Sequence, residues 1–281
     1  NGGDADLLVM PSYCRQMDKA GVKAITLHPK NVEDGLPFAH ATMMIIDARW
    51  GTPLALMDGA ILTAIRTGAG AGAATDVLAR PDASQVAIIG SGIQAASQLE
   101  AMCAVRPIRR AAVFDLDQAR AVSFANRLSK QLNIEVEPAL SSSAAVAGAD
   151  IICTATSART PVLDDADIEP GTHINAIGVY KTDEREIPGA TVARARCVVE
   201  GIDIAWAEAG DLVLAREEGL IEESHIDTEI GEIIAGQKPG RQPEDDITLF
   251  KSVGIASQDL FAAHVVLARG TALGLGSMVA L

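Results

Sequence analysis

Aromatic side chains are scarce: two Trp, two Tyr and five Phe among 281 residues. That excludes a core built on stacked rings and calls for an aliphatic one, with alanine-rich helices in close contact. Positive charge is in short supply too. Twenty-three Lys and Arg face 37 Asp and Glu, a net charge of −14 at pH 7. A nucleic-acid or anionic-membrane surface needs the opposite balance, so neither partner is expected. An anionic substrate must instead be held by a few local cations. No apolar run reaches spanning length, so neither a membrane span nor a signal peptide is expected. Cysteines are few and scattered, at Cys14, Cys103, Cys153 and Cys197, with no CxxC. They read as buried free thiols in a reducing, cytoplasmic compartment. The histidines (His28, His40, His173, His225, His264) never form HxH or HxxxH, so no metal site is expected, and no GxSxG nucleophile elbow occurs.

What is present is a soluble globular composition, 48% hydrophobic and 21% charged. The period of the apolar residues changes along the chain. "DLLVM" (6–10), "VKAITL" (22–27), "ATMMIID" (41–47) and "PLALM" (53–57) are short runs between turn signals, which predicts an antiparallel sheet. Residues 58–82 read as a helix of small residues packed against a partner and ended at Pro81, although Gly59, Gly68, Gly70 and Gly72 each cost up to about 1 kcal/mol.

From residue 86 apolar runs alternate with helical connectors. The runs are 86–90, 111–115, 134–139, 150–155, 173–178 and 196–201, and their near-continuous apolarity suits a parallel sheet covered on both faces. Residues 115–132 form the most helix-like connector, with Asp in the expected first turn. Residues 222–240 read as a helix ended by Gly236 and Pro239. Residues 246–270 read as a strand, a turn and a helix that returns to the first domain.

Gly90-Ser91-Gly92-Ile93-Gln94-Ala95 spells GxGxxA after a strand and at the start of a helix. The first glycine permits a tight turn, the second lets backbone approach a pyrophosphate, and the small third residue lets helix and strand pack. The helix N-terminus then offers free N–H groups to the anion. Asp115 stands at the next strand end, twenty residues past Ala95, where a ribose-binding carboxylate belongs. A packing turn with Asp115 as a helix cap is the alternative. A carboxylate there accepts from both ribose hydroxyls and repels a 2′-phosphate, so NAD(H) is preferred. Arg120, one helical turn on, leaves NADP(H) open.

The blocks "GVKAITLHP", "GTPLALMDGAILTAIRTGAGAGAA", "LARPDASQVAIIGSGIQA", "GADIICTATSARTPVL", "GTHINAIG", "AEAGDLVL", "IGEIIAGQKPGR" and "ITLFKSVGIASQDL" resemble the ornithine cyclodeaminase/mu-crystallin family, in order along nearly the whole chain. The resemblance implies an α/β subunit. A Rossmann-type doubly wound parallel sheet (79–247) is inserted into a smaller α+β domain (1–78 plus 248–281) that binds substrate and forms a homodimer. Family members usually carry an earlier segment with a carboxylate-binding arginine, and the chain opens after that point.

The resemblance also gives roles to residues that pattern alone leaves open. Lys23, by periodicity an edge-strand lysine, is expected to hold the substrate carboxylate and take part in proton transfer. Arg66, otherwise an exposed helix arginine, and Thr67 are expected at the cofactor phosphate, with Arg66 also on the substrate. His40, otherwise structural, is expected beside the nicotinamide together with Thr156, Ser157, Ile177 and Ser252; Lys251 is a weaker candidate. Cyclodeaminases and archaeal alanine dehydrogenases have an aspartate two residues after the "INAIG" glycine. Here Tyr180 stands there, and Asp183 follows in "TDEREI", closer to the mu-crystallin and ketimine-reductase form. Asp183 is the candidate acid, a helix cap being the alternative. Glu208 is a candidate for the substrate pocket or a solvated carboxylate.

The expected activity is therefore NAD(H)-dependent reduction of the C=N bond of a small α-imino acid, or oxidation of the matching amino acid. Ornithine cyclodeamination to proline and a non-enzymatic, mu-crystallin-like binding role are the two rivals.

Overall fold

The computed structural model describes residues 5–32, 34–242 and 246–279. It divides into two compact units, residues 1–66 with 254–281, and residues 67–253.

The first unit carries four antiparallel strands in sequential order: β1 (Asp6–Cys14), β2 (Lys19–Leu27), β3 (Ala39–Asp47) and β4 (Thr52–Asp58). Burial alternates along β2, with Gly21, Lys23, Ile25 and Leu27 inward, as a strand with one covered face requires. Pro53 lies on the edge strand β4, where a missing N–H does no harm. The cover is the last helix of the chain (Ala256–Ala272). Its Leu260 and Ala263 close a small core with Met43, Ile45 and Leu62. The return of 246–270 thus takes the expected form.

The second unit is a seven-stranded sheet, parallel throughout. Its strands are β5 (Gln85–Ile89), β6 (Arg110–Phe114), β7 (Glu135–Pro138), β8 (Ile151–Thr154), β9 (His173–Ala176), β10 (Arg196–Val199) and β11 (Thr248–Lys251). Their spatial order is β10-β11-β9-β8-β5-β6-β7. Strands β8, β9 and β11 are buried along their whole length. Three apolar clusters, around Ile152, Ile174 and Leu249, around Ile88, Leu99 and Leu128, and a smaller one around Leu78, Val198 and Phe250, form the core of the unit. This is the doubly wound α/β architecture, inserted between the two ends of the chain that build the first unit.

α1 (Gly59–Leu78) is one continuous helix. Beyond Arg66 its small residues lie on α2 (Ile93–Val105), so closely that a Cβ on Gly68 would meet the Ser97 carbonyl oxygen at 2.5 Å. α3 (Gln118–Leu132) buries Ala121, Phe124, Ala125 and Leu128, one stripe of helical period.

The compact units meet along the chain at 66/67 and 253/254, where the expected domains were drawn at 78/79 and 247/248. The later turns of α1 pack on α2, and β11 pairs between β9 and β10. Other expectations are corrected. The acidic residues before α3 are not in its first turn. Asp117 is the N-cap, accepting from the Ala119 and Arg120 amides. Residues 222–240 hold no continuous helix, only a 3-10 turn, Glu223–His225, and a short α-helix, Ile230–Ile234, started by a Glu229–Glu232 capping box. The His225 ring, in that turn, reaches the carbonyls of Val192 and Ala195 at 3.0 and 3.1 Å, tertiary bonds that anchor it. Cys153 and Cys197 are buried as expected, but Cys14 and Cys103 are only partly so. No helix among the described residues is long and apolar enough to cross a membrane.

Candidate active site

In the second unit, Gly90 follows β5 at φ +100, and a Cβ there would lie 2.6 Å from the Ala155 carbonyl oxygen. Only glycine fits this turn. Gly92 is the N-cap of α2, whose first turn has no side-chain cap and no acidic residue. The space a Gly92 Cβ would enter is open. Bare first-turn N–H groups facing an open cradle fit a pyrophosphate. Ile93 and Gln94 open the helix, Ile93 exposed and Gln94 half-buried.

Asp115, at the end of β6, ties the turn together. Its Oδ2 accepts from Ser91 N at 2.9 Å and from Ser91 Oγ at 2.5 Å, and its Oδ1 accepts from Asp117 N at 2.9 Å. Ser91, Arg120, Ser123, Phe124 and Arg127 line a cavity of about 220 Å³ against this turn.

Across the sheet, Thr156 lies beyond the end of β8, and its methyl would stand 3.3 Å from a Cβ on Gly90. Its N and Oγ1 both donate to Glu186 Oε1 at 2.7 Å. Ile177 continues β9 and donates from its N–H to the Thr154 carbonyl, while Ser157 is exposed. Ser252 is buried, its Oγ donating to Glu200 Oε1 at 2.9 Å. Lys251 is fully buried with Asp211, Nζ to Oδ2 at 2.7 Å, and donates to the Val179 carbonyl at the same distance. Asp183 is exposed. Glu208, half-buried at the end of the helix Ile202–Glu208, has its carboxyl pushed up by burial. Thr67 is buried on α1.

In the first unit, Lys23 and Arg66 meet on one carboxylate. Lys23 Nζ is 2.7 Å from Asp259 Oδ2, and Arg66 Nε is 3.0 Å from Asp259 Oδ1. Arg66 Nη1 also donates to Gln258 Oε1 at 2.8 Å. All three charged side chains are buried. Two cations against one anion leave one positive charge, the complement of an organic carboxylate. Burial lowers the Lys23 pKa first and Arg66 lowers it further, while Asp259 opposes both.

His40 does not join this cluster. It pairs with Thr26 across the β2–β3 ladder, whereas Lys23 pairs with Met43. Three residues apart along β2, Lys23 and Thr26 point to opposite faces of the sheet, and His40 is exposed.

Sequence reasoning missed Asp259, Glu186, Asp211 and Glu200. Asp259 stood in a quoted block, "SQDL", as an ordinary helix carboxylate. Glu186 was hidden in the polar run "TDEREI".

A glycine turn between a buried strand and a helix, with a carboxylate at the next strand end, defines a dinucleotide-binding α/β protein. The sequence profile of the ornithine cyclodeaminase/mu-crystallin family matches residues 1–272, and the chain belongs to that family. It is 37% identical over 273 residues to a Δ1-pyrroline-2-carboxylate reductase of Bacillus cereus, covering 97% of this chain and 84% of that one. It is 35% identical over 275 residues to an alanine dehydrogenase of Archaeoglobus fulgidus, covering 98% and 83%. The Δ1-pyrroline-2-carboxylate reductase of Thermococcus litoralis, solved with NADH and L-proline, superposes with a TM-score of 0.96 at 41% identity, covering 98% of this chain and 85% of that one.

Proposed function

We propose that this protein is an NAD(H)-dependent reductase of a small cyclic α-imino acid, with Δ1-pyrroline-2-carboxylate as substrate and L-proline as product. The observation that carries the reading is the buried Lys23–Asp259–Arg66 cluster, in which two cations share one carboxylate among the described residues, leaving a positive charge for a substrate carboxylate. The related reductases act on this substrate, and the T. litoralis enzyme was solved with NADH and L-proline.

When bound, NADH supplies the hydride that reduces the imine carbon. Gly90, Ser91, Gly92, Ile93 and Gln94 hold the pyrophosphate on the bare start of α2, and Asp115 accepts from the adenosine ribose hydroxyls. The Asp115 charge disfavours a 2′-phosphate, so NAD(H) is preferred. Thr67, Thr156, Ser157, Ile177 and Ser252 complete the cofactor site, and His40 remains a proposed member despite its outward direction. Lys23 and Arg66 grip the carboxylate, and Glu208 is a further candidate for the substrate pocket. The nitrogen proton comes from Asp183 or from Lys23, whose lowered pKa makes it the readier donor.

We assign carboxylate binding and dimerisation to the first unit and nucleotide binding to the second. Leu7, Val9, Tyr13 and Leu56 are exposed on the sheet of the first unit, and a second copy covering them gives a homodimer; an archaeal alanine dehydrogenase at 34% identity and TM-score 0.92 was solved as a dimer. Buried Cys153 and Cys197 suit a cytoplasmic setting.

The test is direct. Rapid loss of NADH absorbance with Δ1-pyrroline-2-carboxylate, and proline as product, is the expected result. Proline and ammonia from ornithine, with no net nicotinamide change, would replace it with a cyclodeaminase. Nucleotide binding without turnover on either substrate would leave a binding protein.

A further inference from the structure

Glu186 is fully buried, and its two oxygens accept four hydrogen bonds. Oε1 takes Thr156 N and Thr156 Oγ1, both at 2.7 Å; Oε2 takes Gly178 N at 2.7 Å and Thr154 Oγ1 at 2.8 Å. Two of the donors are backbone amides, which can only donate. Each oxygen thus takes one backbone amide and one threonine hydroxyl, so a single side chain fastens both segments. Burial pushes this carboxyl up; Lys251 and the Thr156 bonds act the other way.

The residue is itself held. Glu186 N and Ile187 N donate to Asp211 Oδ1 at 2.7 and 2.8 Å, and the other Asp211 oxygen is paired with Lys251. Space is tight around it: a Cβ on Gly178 would come within 2.6 Å of Glu186 Oε1. Glu186 belongs to neither strand it fastens. It reaches from the segment after β9 to the end of β8 and to the first residues beyond β9.

These strand ends matter because of the topology. The chain runs from β5 outward to β7, then crosses to β8 and on to β9 on the other side of β5. The order reverses between β5 and β8, and in such sheets a dinucleotide lies at that point across the carboxyl ends. Asp115, on the β6 side, serves the adenosine half. The β8 and β9 ends therefore serve the nicotinamide half, and Glu186 is what fixes them.

We infer that Glu186 is a positioning residue for the nicotinamide half of the cofactor, holding Thr156 and Gly178 at the ends of β8 and β9. This rests on the NAD(H) reading above. It assigns Glu186 no contact with the substrate.

The experiment compares NADH with ADP-ribose, which lacks the nicotinamide, by calorimetry on the full chain. Wild-type protein that binds neither would end the NAD(H) reading itself. Given binding of both, Glu186→Gln places an amide N–H₂ against Thr156 N or Gly178 N, two donors facing each other. The Kd for NADH should rise about tenfold while that for ADP-ribose stays within about twofold. Thr154→Val, at a buried residue not assigned to the cofactor, removes only the hydroxyl donor to Glu186 Oε2, and should raise the NADH Kd about threefold with the same selectivity. It decides the question if Glu186→Gln does not fold. Parallel weakening of both ligands, or an unchanged NADH to ADP-ribose ratio, would overturn the inference.

Discussion

Lys23 Nζ stands 2.7 Å from Asp259 Oδ2, with both side chains 1% exposed, and the other Asp259 oxygen takes Arg66 at 3.0 Å. One anion thus serves two buried cations. Lys23→Met leaves Arg66 and Asp259 balanced and removes the surplus charge. Its KM for Δ1-pyrroline-2-carboxylate should rise about 100-fold or more, as expected for a lost charge-assisted contact, with the Kd for NADH unchanged. Asp259→Asn leaves two buried cations without a counter-ion and should cost about 3–5 kcal/mol in denaturant unfolding.

Asp115 does two things at once, since the oxygen that accepts from Ser91 N and Oγ belongs to the carboxylate assigned to the ribose. Asp115→Ser should weaken NADH use and relieve the repulsion of a 2′-phosphate. The ratio of kcat/KM for NADPH to that for NADH should rise about 10- to 100-fold, a gain of one to two powers of ten in discrimination. A ratio that does not move would place the ribose carboxylate elsewhere.

His173 makes the protein acid-sensitive. It is fully buried, its Nδ1 is 2.9 Å from Thr248 Oγ1, and burial, with Arg241 adding to it, pushes its pKa down to about 3. The unfolded chain protonates this ring near its ordinary value of 6.5 while the folded one does not. Its contribution is therefore intact above the ordinary value and is lost as pH falls from there toward the lowered one. The slope is about 1.4 kcal/mol per pH unit. Unfolding free energies from pH 7 to pH 4 should show this limb, and His173→Gln should flatten it.

Burial also quiets the thiols. The Cys153 pKa is pushed up to about 12 and the half-buried Cys103 to about 11, and Cys197 is raised as well. At pH 8 iodoacetamide should leave Cys153 and Cys197 unmodified in the folded protein, since the thiolate is the reacting form. Mass spectrometry of tryptic peptides before and after denaturation would read this directly.

Much of the fold was legible because its signal is periodic. Short apolar runs between turn signals, Val22–Leu27 among them, announced an antiparallel sheet, and the near-continuous apolar runs at 86–90, 150–155 and 173–178 announced a sheet covered on both faces. Residues 222–240 defeated the same logic, because a 3-10 turn anchored by tertiary bonds from His225 interrupts the helix-like composition there. The site was legible in part. The glycine turn and Asp115 carry a local spacing, whereas the carboxylate that answers Lys23 and Arg66 lies on the last helix, with no local spacing to announce it.

Local spacing and apolar period, properties of neighbours in the chain, were enough by themselves to determine a parallel nucleotide-binding sheet, its glycine turn and a strand lysine worth explaining. Only the tertiary structure decided which carboxylates answer the buried cations. Asp259 is 236 residues from Lys23, and Glu186 looked like one more acid in a polar run. A charge becomes costly, and therefore needs a partner, only once the folded chain has removed the water around it.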